Sequence, residues 1–172
     1  EPPLSLSSAC PPRCCHSHCL LAACLAEGEM ERERRGSSLS VPLSLVDKSL
    51  KRLLKRTLPG LPYFVLYNLP NRDIGQYSKG GAGDATEYLL FLQEFCKGIK
   101  GHSPIIIYEP DALPHTTMMT PKEAQYRINL MKTGIDVLTE ESDALVYIDI
   151  GHSNWLSPEQ ASELISSVSN SK

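Results

Sequence analysis

The sequence predicts an α/β domain built on a parallel sheet, and three observations support that prediction. Three short apolar runs have the length and the β-branched or aromatic content of buried strands. Segments with a helical spacing of apolar residues separate these runs, so helices and strands alternate along the chain. Helix-capping sequences stand directly before three of the helices. Strands that alternate with helices favour parallel pairing, since each connection is long enough for a crossover helix.

The first helix is predicted over "VDKSLKRLLKR", residues 46–56. Lysines and arginines lie on one side of it, where we expect them to be solvated, and the opposite face carries Val46, Leu50, Leu53 and Leu54. The segment "TLPGLP" breaks this helix. The apolar run "YFVLYN", residues 63–68, follows and is predicted to be the first buried strand.

The second helix is predicted over "DATEYLLFLQEFCKGI", residues 84–99, and Asp84 precedes Glu87 by the three residues of a capping box. Its apolar stripe consists of Leu89, Leu92, Cys96 and Ile99. Cys96 is therefore expected to be a core residue rather than a reactive one. The second strand is predicted over "PIIIYE", residues 104–109.

The third helix begins with "TPKE", in which Thr120 is placed to cap, Pro121 to start the helix and Glu123 to complete a capping box. The helix continues through "EAQYRINLMKTGIDVL", and "ALVYIDI", residues 144–150, is the third predicted strand. "SPEQ", residues 157–160, repeats the capping pattern before the last helix, "ASELISSV".

Residues 1–42 differ in composition from the rest and show no sustained strand or helix period. We predict an unstructured leader there and a domain over residues 43–172. The cluster "CPPRCCHSHC" allows a disulfide or zinc interpretation, although it lacks a second pair of zinc ligands. "CLLAACLA" allows a signal-peptide interpretation, and a mis-predicted exon would look similar. The first residue is Glu, so we expect the chain to be processed or a fragment.

Length and charge limit the classes of function. The 172 residues suffice for one domain with a core. A net charge of −3 gives no electrostatic case for binding nucleic acid or an anionic membrane, and no apolar run approaches the ~18 residues of a membrane-spanning helix. We therefore expect neither nucleic acid nor a membrane as a partner.

Acidic residues follow each of the three predicted strands. Asp73 follows the first strand, Glu109 and Asp111 follow the second, and Asp149 follows the third. Because the carboxyl ends of parallel strands meet at one edge of a sheet, we expect these carboxyl groups to gather there. Crowded carboxyl groups are suited to proton donation near neutral pH. A single Asp after a strand would more often be a turn or cap residue, but the threefold recurrence favours chemistry.

The same edge is expected to carry Tyr67, Arg72, His152 and Trp155, the chain's one tryptophan. A lone tryptophan is usually a core residue, yet this one lies in the polar segment "GHSNWLSPEQ". A flat ring beside acids suits the face of a sugar. The Gly-rich segment "KGGAGDAT" matches neither phosphate-binding glycine motif, so a flexible loop or lid is the preferred interpretation.

Four motifs, "YNLPNRD", "YSKGG", "YEPDAL" and "YIDIGHSNWL", resemble successive signatures of glycoside hydrolase family 6, the family of endoglucanases and cellobiohydrolases. They occur in order over residues 61–170, and each accompanies a predicted strand. The resemblance implies the N-terminal half of a distorted parallel β/α barrel that hydrolyses β-1,4-glucan with inversion. We expect no cofactor and no metal, and the family leads us to expect secretion.

The resemblance also implies roles for individual residues. Asp111 matches the general acid that protonates the leaving oxygen, and Asp73 matches the aspartate that helps to keep that acid protonated. Arg72 is expected to orient these carboxyl groups. Tyr67 matches the tyrosine that crowds the distorted sugar, and Ser78 matches a loop serine that helps to place water.

Three further residues match positions on the substrate side of the family's site. Asp149 matches a third aspartate at the same edge. His152 and Trp155 match groups that hydrogen-bond and stack a glucose unit just past the cleavage point.

The resemblance implies a barrel of ~250 residues, and this chain stops after the third strand. We therefore expect the region of the catalytic base to be missing and activity of this chain alone to be in doubt. Two alternatives stay open. One is a truncated, catalytically inactive paralogue that binds glucan or has no function. The other is an unrelated α/β enzyme that binds phosphate at Gly80–Gly83.

Overall fold

The computed structural model describes residues 43–57, 60–74 and 80–169. The leader predicted for residues 1–42, with its cysteine cluster, lies outside the described residues, as does Ser78. The elements in chain order are α1 (Leu43–Thr57), β1 (Tyr63–Leu66), α2 (Ala85–Ile99), β2 (Ile105–Tyr108), a 3₁₀ helix (Pro114–Met118), α3 (Pro121–Glu141), β3 (Leu145–Ile148) and α4 (Pro158–Val168). Each helix and strand predicted from the sequence is present.

The three strands form one parallel sheet in the order β1-β2-β3, which confirms the predicted α/β class. Their last residues, Leu66, Tyr108 and Ile148, are aligned across the sheet. The strands are shorter than predicted, because the two or so residues after each ladder turn into loops. Those residues are the ones that build the candidate site.

One face of the sheet packs on helices, and the residues of β1 and β2 that point to it are buried. Phe64 and Leu66 of β1 and Ile106 and Tyr108 of β2 are at most 4 % exposed. α2 lies between α1 and α3, and α4 packs on α3. Cys96 is a buried free thiol, as predicted. Four basic side chains of α1 are solvent-exposed, also as predicted: Lys48, Lys51, Arg52 and Lys55.

The opposite face of the sheet is apolar and more open. Tyr63 is 41 % exposed, Leu145 57 % and Tyr147 56 %. These residues alternate along their strands with the ones that face the helices. No helix among the described residues is long and apolar enough to span a membrane.

The helix caps follow the sequence signals. Thr120 and Ser157 form complete capping boxes with Glu123 and Gln160. The Asp84 carboxylate accepts a hydrogen bond from the amide of Glu87 at 2.8 Å. The Glu87 carboxylate, however, accepts from the amide of Gly83 rather than from the amide of Asp84, so only half of the predicted box forms at α2.

Gly134 lets α3 approach the sheet closely. A Cβ atom at this position would lie 2.2 Å from the Tyr108 hydroxyl oxygen. Gly134→Ala should therefore destabilise the fold by about 2 kcal/mol, even though alanine favours helix by ~1 kcal/mol, because overpacking outweighs propensity. Urea unfolding measures the effect, and Thr133→Ala at the exposed neighbouring position should change stability by less than ~0.5 kcal/mol. Equal stability of both variants would contradict this packing.

Candidate active site

The residues directly after the three strands lie side by side at the carboxyl-terminal edge of the sheet. Tyr67 follows β1, Glu109 follows β2 and Asp149 follows β3. Parallel hydrogen bonding continues into these positions, from the Glu109 amide to the Leu66 carbonyl and from the Asp149 amide to the Tyr108 carbonyl. The sequence thus brings three strand ends together, as predicted.

Asp73 and Asp111 both lie close enough to Tyr67 to act on its ionisation. Burial, followed by repulsion from the Asp73 and Asp111 carboxylates, raises the pKa of Tyr67, while the Arg72 guanidinium lowers it. All three side chains, Tyr67, Asp73 and Asp111, are half-buried. Asp73 also lines an open cleft of about 1210 Å³ between the β1–α2 loop and the start of α3.

Arg72 is held against Tyr67 in two ways. Its guanidinium lies 4.4 Å from the centre of the Tyr67 ring and donates a hydrogen bond to the Tyr67 carbonyl. Arg72 therefore fixes the position of the tyrosine and brings positive charge beside Asp73.

The Asp149 side chain binds backbone amides and does not simply lie at the edge of the sheet. Its Oδ1 atom accepts hydrogen bonds from the amides of Asp111 and Gly151, each at 2.9 Å. The Asp111 backbone has a φ of +61°, a conformation that costs a non-glycine residue ~1–2 kcal/mol. Asp149 thus stabilises the unusual backbone that presents Asp111, a role that the sequence prediction did not include.

Asp149→Ala should destabilise the protein by about 2 kcal/mol, because it leaves two amides without their acceptor. Asp149→Asn keeps an oxygen at the Oδ1 position and should cost less than ~1 kcal/mol. Thermal unfolding of the two variants separates the effect of losing the hydrogen-bond acceptor from the effect of losing the charge. If both variants lose the same stability, the charge of Asp149 and not its hydrogen bonds holds the loop.

Glu109 does not lie on the exposed edge, which corrects the prediction that all the acids gather there. Its side chain is fully buried and turned under the β1–α2 loop. There it accepts hydrogen bonds from the amides of Asn68 and Leu69 at 2.9–3.0 Å. The apolar run that precedes Glu109 gave no sign of this, since burial of an acid depends on donors from a distant loop.

Trp155 is half-buried and packs on two histidines. Its ring centre lies 5.0 Å from that of His115 in an edge-on arrangement and 5.6 Å from that of His152. The ring also covers Gly151, where a Cβ atom would lie 2.9 Å from the indole. His152 is exposed. His115 was not predicted, because nothing in "LPHTTMM" distinguishes it from an ordinary buried histidine.

Arg127 of α3 is a second contributor that sequence reasoning missed. It is 5 % exposed, and its guanidinium donates to the carbonyls of Asn71 at 2.6 Å and Arg72 at 3.5 Å. Asn71 has a φ of +53°. Only the fold reveals that Arg127 supports the β1–α2 loop, because the two carbonyls that it binds lie 55 and 56 residues earlier in the sequence.

The Gly-rich segment packs closely on the same loop. Gly81 has a φ of +95°, and a Cβ atom there would lie 2.1 Å from the Leu69 carbonyl oxygen. Nearby, the Asp84 and Glu87 carboxylates accept from the amides at the start of α2. A phosphate at this helix start would meet two carboxylates, which argues against the phosphate-binding alternative. The close approach of this segment to the backbone of the β1–α2 loop explains its glycines.

Comparison with known proteins identifies the family. The family model described as glycosyl hydrolases family 6 matches residues 37–170. Endoglucanase A of Thermobispora bispora is 39 % identical over 107 residues, which are 60 % of this chain and 24 % of that protein. Endoglucanase A of Cellulomonas fimi is 40 % identical over 96 residues, 56 % of this chain and 20 % of that protein. The chain therefore spans about a quarter or less of these relatives.

A comparison with solved structures points to the same family. The endoglucanase Cel6 from Mycobacterium tuberculosis, in complex with methyl-cellobiosyl-4-deoxy-4-thio-β-D-cellobioside, superimposes with a TM-score of 0.69 at 32 % sequence identity. The match covers 74 % of this chain and 44 % of that one. A family 6 enzyme from Orpinomyces has a TM-score of 0.59 at 18 % identity, which is a likeness of fold. The parallel strands, the ordered strand-end acids and the family match together lead to one conclusion: the chain belongs to glycosyl hydrolases family 6.

Proposed function

We propose that these residues form part of an enzyme that hydrolyses β-1,4-glucosidic bonds of cellulose or a related glucan with inversion at the anomeric carbon. The observation that carries the proposal is the placement of Asp73 and Asp111 on loops after adjacent strands, both acting on Tyr67, in a chain of this family. The endoglucanase names of the relatives and the thio-cellobioside bound to the mycobacterial enzyme support a glucan substrate.

Asp111 is the general acid in this proposal. Its backbone amide donates to Asp149, so the backbone that carries its carboxyl group is fixed before substrate arrives, which reduces the entropy cost of proton transfer. Asp73 lies on the neighbouring loop, and the family resemblance gives it the role of helping to keep the proton on Asp111 until the leaving oxygen takes it. Arg72 orients these groups, and Ser78 helps to place the water.

Trp155 and His152 form the sugar-binding side. The half-buried indole offers an aromatic face supported by His115, and the exposed His152 offers ring nitrogens for hydrogen bonds. Such a combination of a flat apolar surface and polar groups suits a glucose unit. Because a polymeric glucan does not enter a cell, we expect the enzyme to act after secretion.

The three strands are, in this proposal, part of a β/α barrel. The apolar face that carries Tyr63, Leu145 and Tyr147 is the face that would point into a barrel interior. In an inverting mechanism the water-activating carboxylate lies ~6.5–9.5 Å from the acid, and the family resemblance places that base outside these residues.

The test uses the product of the complete reading frame that encodes these residues, beside the 172-residue chain itself. Both are incubated with a soluble β-1,4-glucan and with cello-oligosaccharides, and proton NMR follows the anomer that is first released. We expect the α-anomer first, as inversion requires. Release of the β-anomer would refute the inverting mechanism, and absence of cleavage by the complete product would favour the glucan-binding alternative.

A further inference from the structure

The Glu109 side chain occupies a fully buried position beneath the β1–α2 loop, and the proposed mechanism does not use it. Its backbone has a φ of +46°, which is unfavourable for glutamate and is maintained by surrounding structure. A buried acid held in an unfavourable backbone conformation calls for a role that an apolar residue could not fill.

A chain of four oxygen atoms leads from Glu109 to helix α3. Glu109 Oε1 lies 3.1 Å from the Tyr88 hydroxyl oxygen, which lies 2.8 Å from the Tyr108 hydroxyl oxygen. The Tyr108 hydroxyl oxygen lies 3.1 Å from the carbonyl oxygen of Met131. Tyr88 and Tyr108 are both fully buried, so water does not supply the missing donors or acceptors.

The chain contains three oxygen–oxygen links, and each link needs one proton. The Met131 carbonyl has no proton to give, and the two tyrosines supply one each. If Glu109 were ionised, one of the three links would hold two oxygens together without a proton. If Glu109 carries a proton on Oε1, all three links are satisfied in one direction, from Glu109 through Tyr88 and Tyr108 to Met131.

The second carboxyl oxygen of Glu109 accepts hydrogen bonds in this state. Oε2 accepts from the Leu69 amide at 2.9 Å, and the Asn68 amide lies 3.0 Å from both Oε2 and Oε1, so the two oxygens share its hydrogen bond. A neutral carboxylic acid therefore satisfies its hydrogen-bonding atoms at both ends. It connects the β1–α2 loop on one side to α2, β2 and α3 on the other.

We propose that Glu109 is a positioning residue that acts as a neutral carboxylic acid, closing this hydrogen-bond chain and thereby fixing the β1–α2 loop against the sheet and α3. The inference rests on the proposed function only in treating that loop, which carries Tyr67, Arg72 and Asp73, as catalytic. The hydrogen-bond chain itself is a property of the folded protein and can be tested without substrate.

Five charged or titratable groups interact with Glu109, and they come from each element packed on it. Arg72 and Tyr67 belong to the β1–α2 loop. Tyr88 belongs to α2, Tyr108 to β2 and Arg127 to α3. Burial raises the pKa of Glu109 from 4.5 to about 7, against the lowering effects of the two amides, Tyr88 and Arg72. Because the folded pKa is above the unfolded one, the stability that this group contributes is complete below about pH 4.5 and is lost as the pH rises through about 7.

The direct test is a ¹³C NMR titration of the glutamate side-chain carboxyl carbons in the 172-residue chain. The Glu109 signal is assigned by its disappearance in Glu109→Gln. We expect a midpoint near pH 7, against 4.5 for an ordinary glutamate. A midpoint near the ordinary value, whether the chain is folded or not, would overturn the proposal.

Tyr108→Phe distinguishes the proton chain from simple burial. Without the Tyr108 oxygen, Tyr88 can donate to an ionised Glu109 at no cost, so the midpoint should fall by about one pH unit. Burial alone would leave the midpoint unchanged or raise it. Tyr126→Phe, at a tyrosine of α3 that is 58 % exposed, is the matched control and should leave the midpoint in place.

Two substitutions at Glu109 test the positioning role. Glutamine reproduces the neutral acid, since its amide donates to Tyr88 and its oxygen accepts from the loop amides. In urea unfolding, Glu109→Gln should therefore be as stable as the wild type at pH 5 and more stable than the wild type at pH 8. Its Asn68 and Leu69 amides should be protected from hydrogen exchange at both pH values. Glu109→Met should be less stable and lose amide protection at both values. A glutamine variant less stable than the wild type at pH 8 would overturn the proposal.

Discussion

Replacing Asp111 by asparagine is expected to lower hydrolysis of an unactivated β-1,4-glucan at least about 100-fold while binding is retained, because asparagine cannot protonate the leaving oxygen. The amide is nearly isosteric with the carboxyl group, and the backbone amide of residue 111 still donates to Asp149. The complete reading-frame product is the enzyme to assay. Affinity for cello-oligosaccharides is measured in parallel by calorimetry.

A substrate with a good leaving group separates acid catalysis from other effects. Departure of dinitrophenolate from an activated cellobioside needs little protonation, so Asp111→Asn should retain most activity on it. Asp143→Asn, at an exposed aspartate before β3, is the matched control and should be neutral on both substrates. Equal loss on both substrates would assign Asp111 to binding or folding, and undiminished glucan hydrolysis would refute the assignment.

Arg127→Met is expected to destabilise the protein by about 3 kcal/mol, because it leaves the carbonyls of Asn71 and Arg72 without their buried charged donor. Methionine retains much of the aliphatic volume, so the loss reports hydrogen bonding more than a cavity. Urea unfolding gives the stability. Amide hydrogen exchange should show faster exchange in the β1–α2 loop than in β2.

Lys122→Met is the control for Arg127, since Lys122 is an exposed basic residue on the same helix. It should change stability by less than ~0.5 kcal/mol. Arg127→Lys should recover part of the loss, because one ammonium group can reach one carbonyl but cannot reproduce the two-carbonyl fork. If methionine and lysine behave alike, packing rather than donation accounts for the role of Arg127.

The order and type of the elements could be predicted because their signals are local. Val46, Leu50 and Leu54 have the spacing of one helix face, and all three are buried. The capping boxes at Thr120 and Ser157 depend on residues three apart, so the sequence specifies them directly. Leu53, which was assigned to the same face, is only half-buried, because the width of a buried stripe depends on the neighbouring helix.

The candidate site was predictable in part. The positions of Asp73, Asp111 and Asp149 after successive strands follow from counting along the chain, once the strands are recognised and paired in parallel. The role of each acid could not be predicted in this way. Asp149 binds the backbone of Asp111, and Glu109 binds the β1–α2 loop 40 residues away in sequence. Arg127 and His115 gave no local signal, because their partners lie in other loops.

By itself, the sequence determined the α/β class, the capping boxes at Thr120 and Ser157 and the family, since these depend on apolar period, short-range hydrogen bonds and ordered motifs. Only the tertiary structure decided that Asp73 lines the cleft, whereas Glu109 and Asp149 serve as hydrogen-bond acceptors within the fold. The physical reason is that burial of a carboxyl group depends on the donors that surround it. Those donors, the amides of Asn68 and Leu69, reach Glu109 only when β1 and β2 have paired, and its hydrogen-bond partner Tyr88 comes into place with α2.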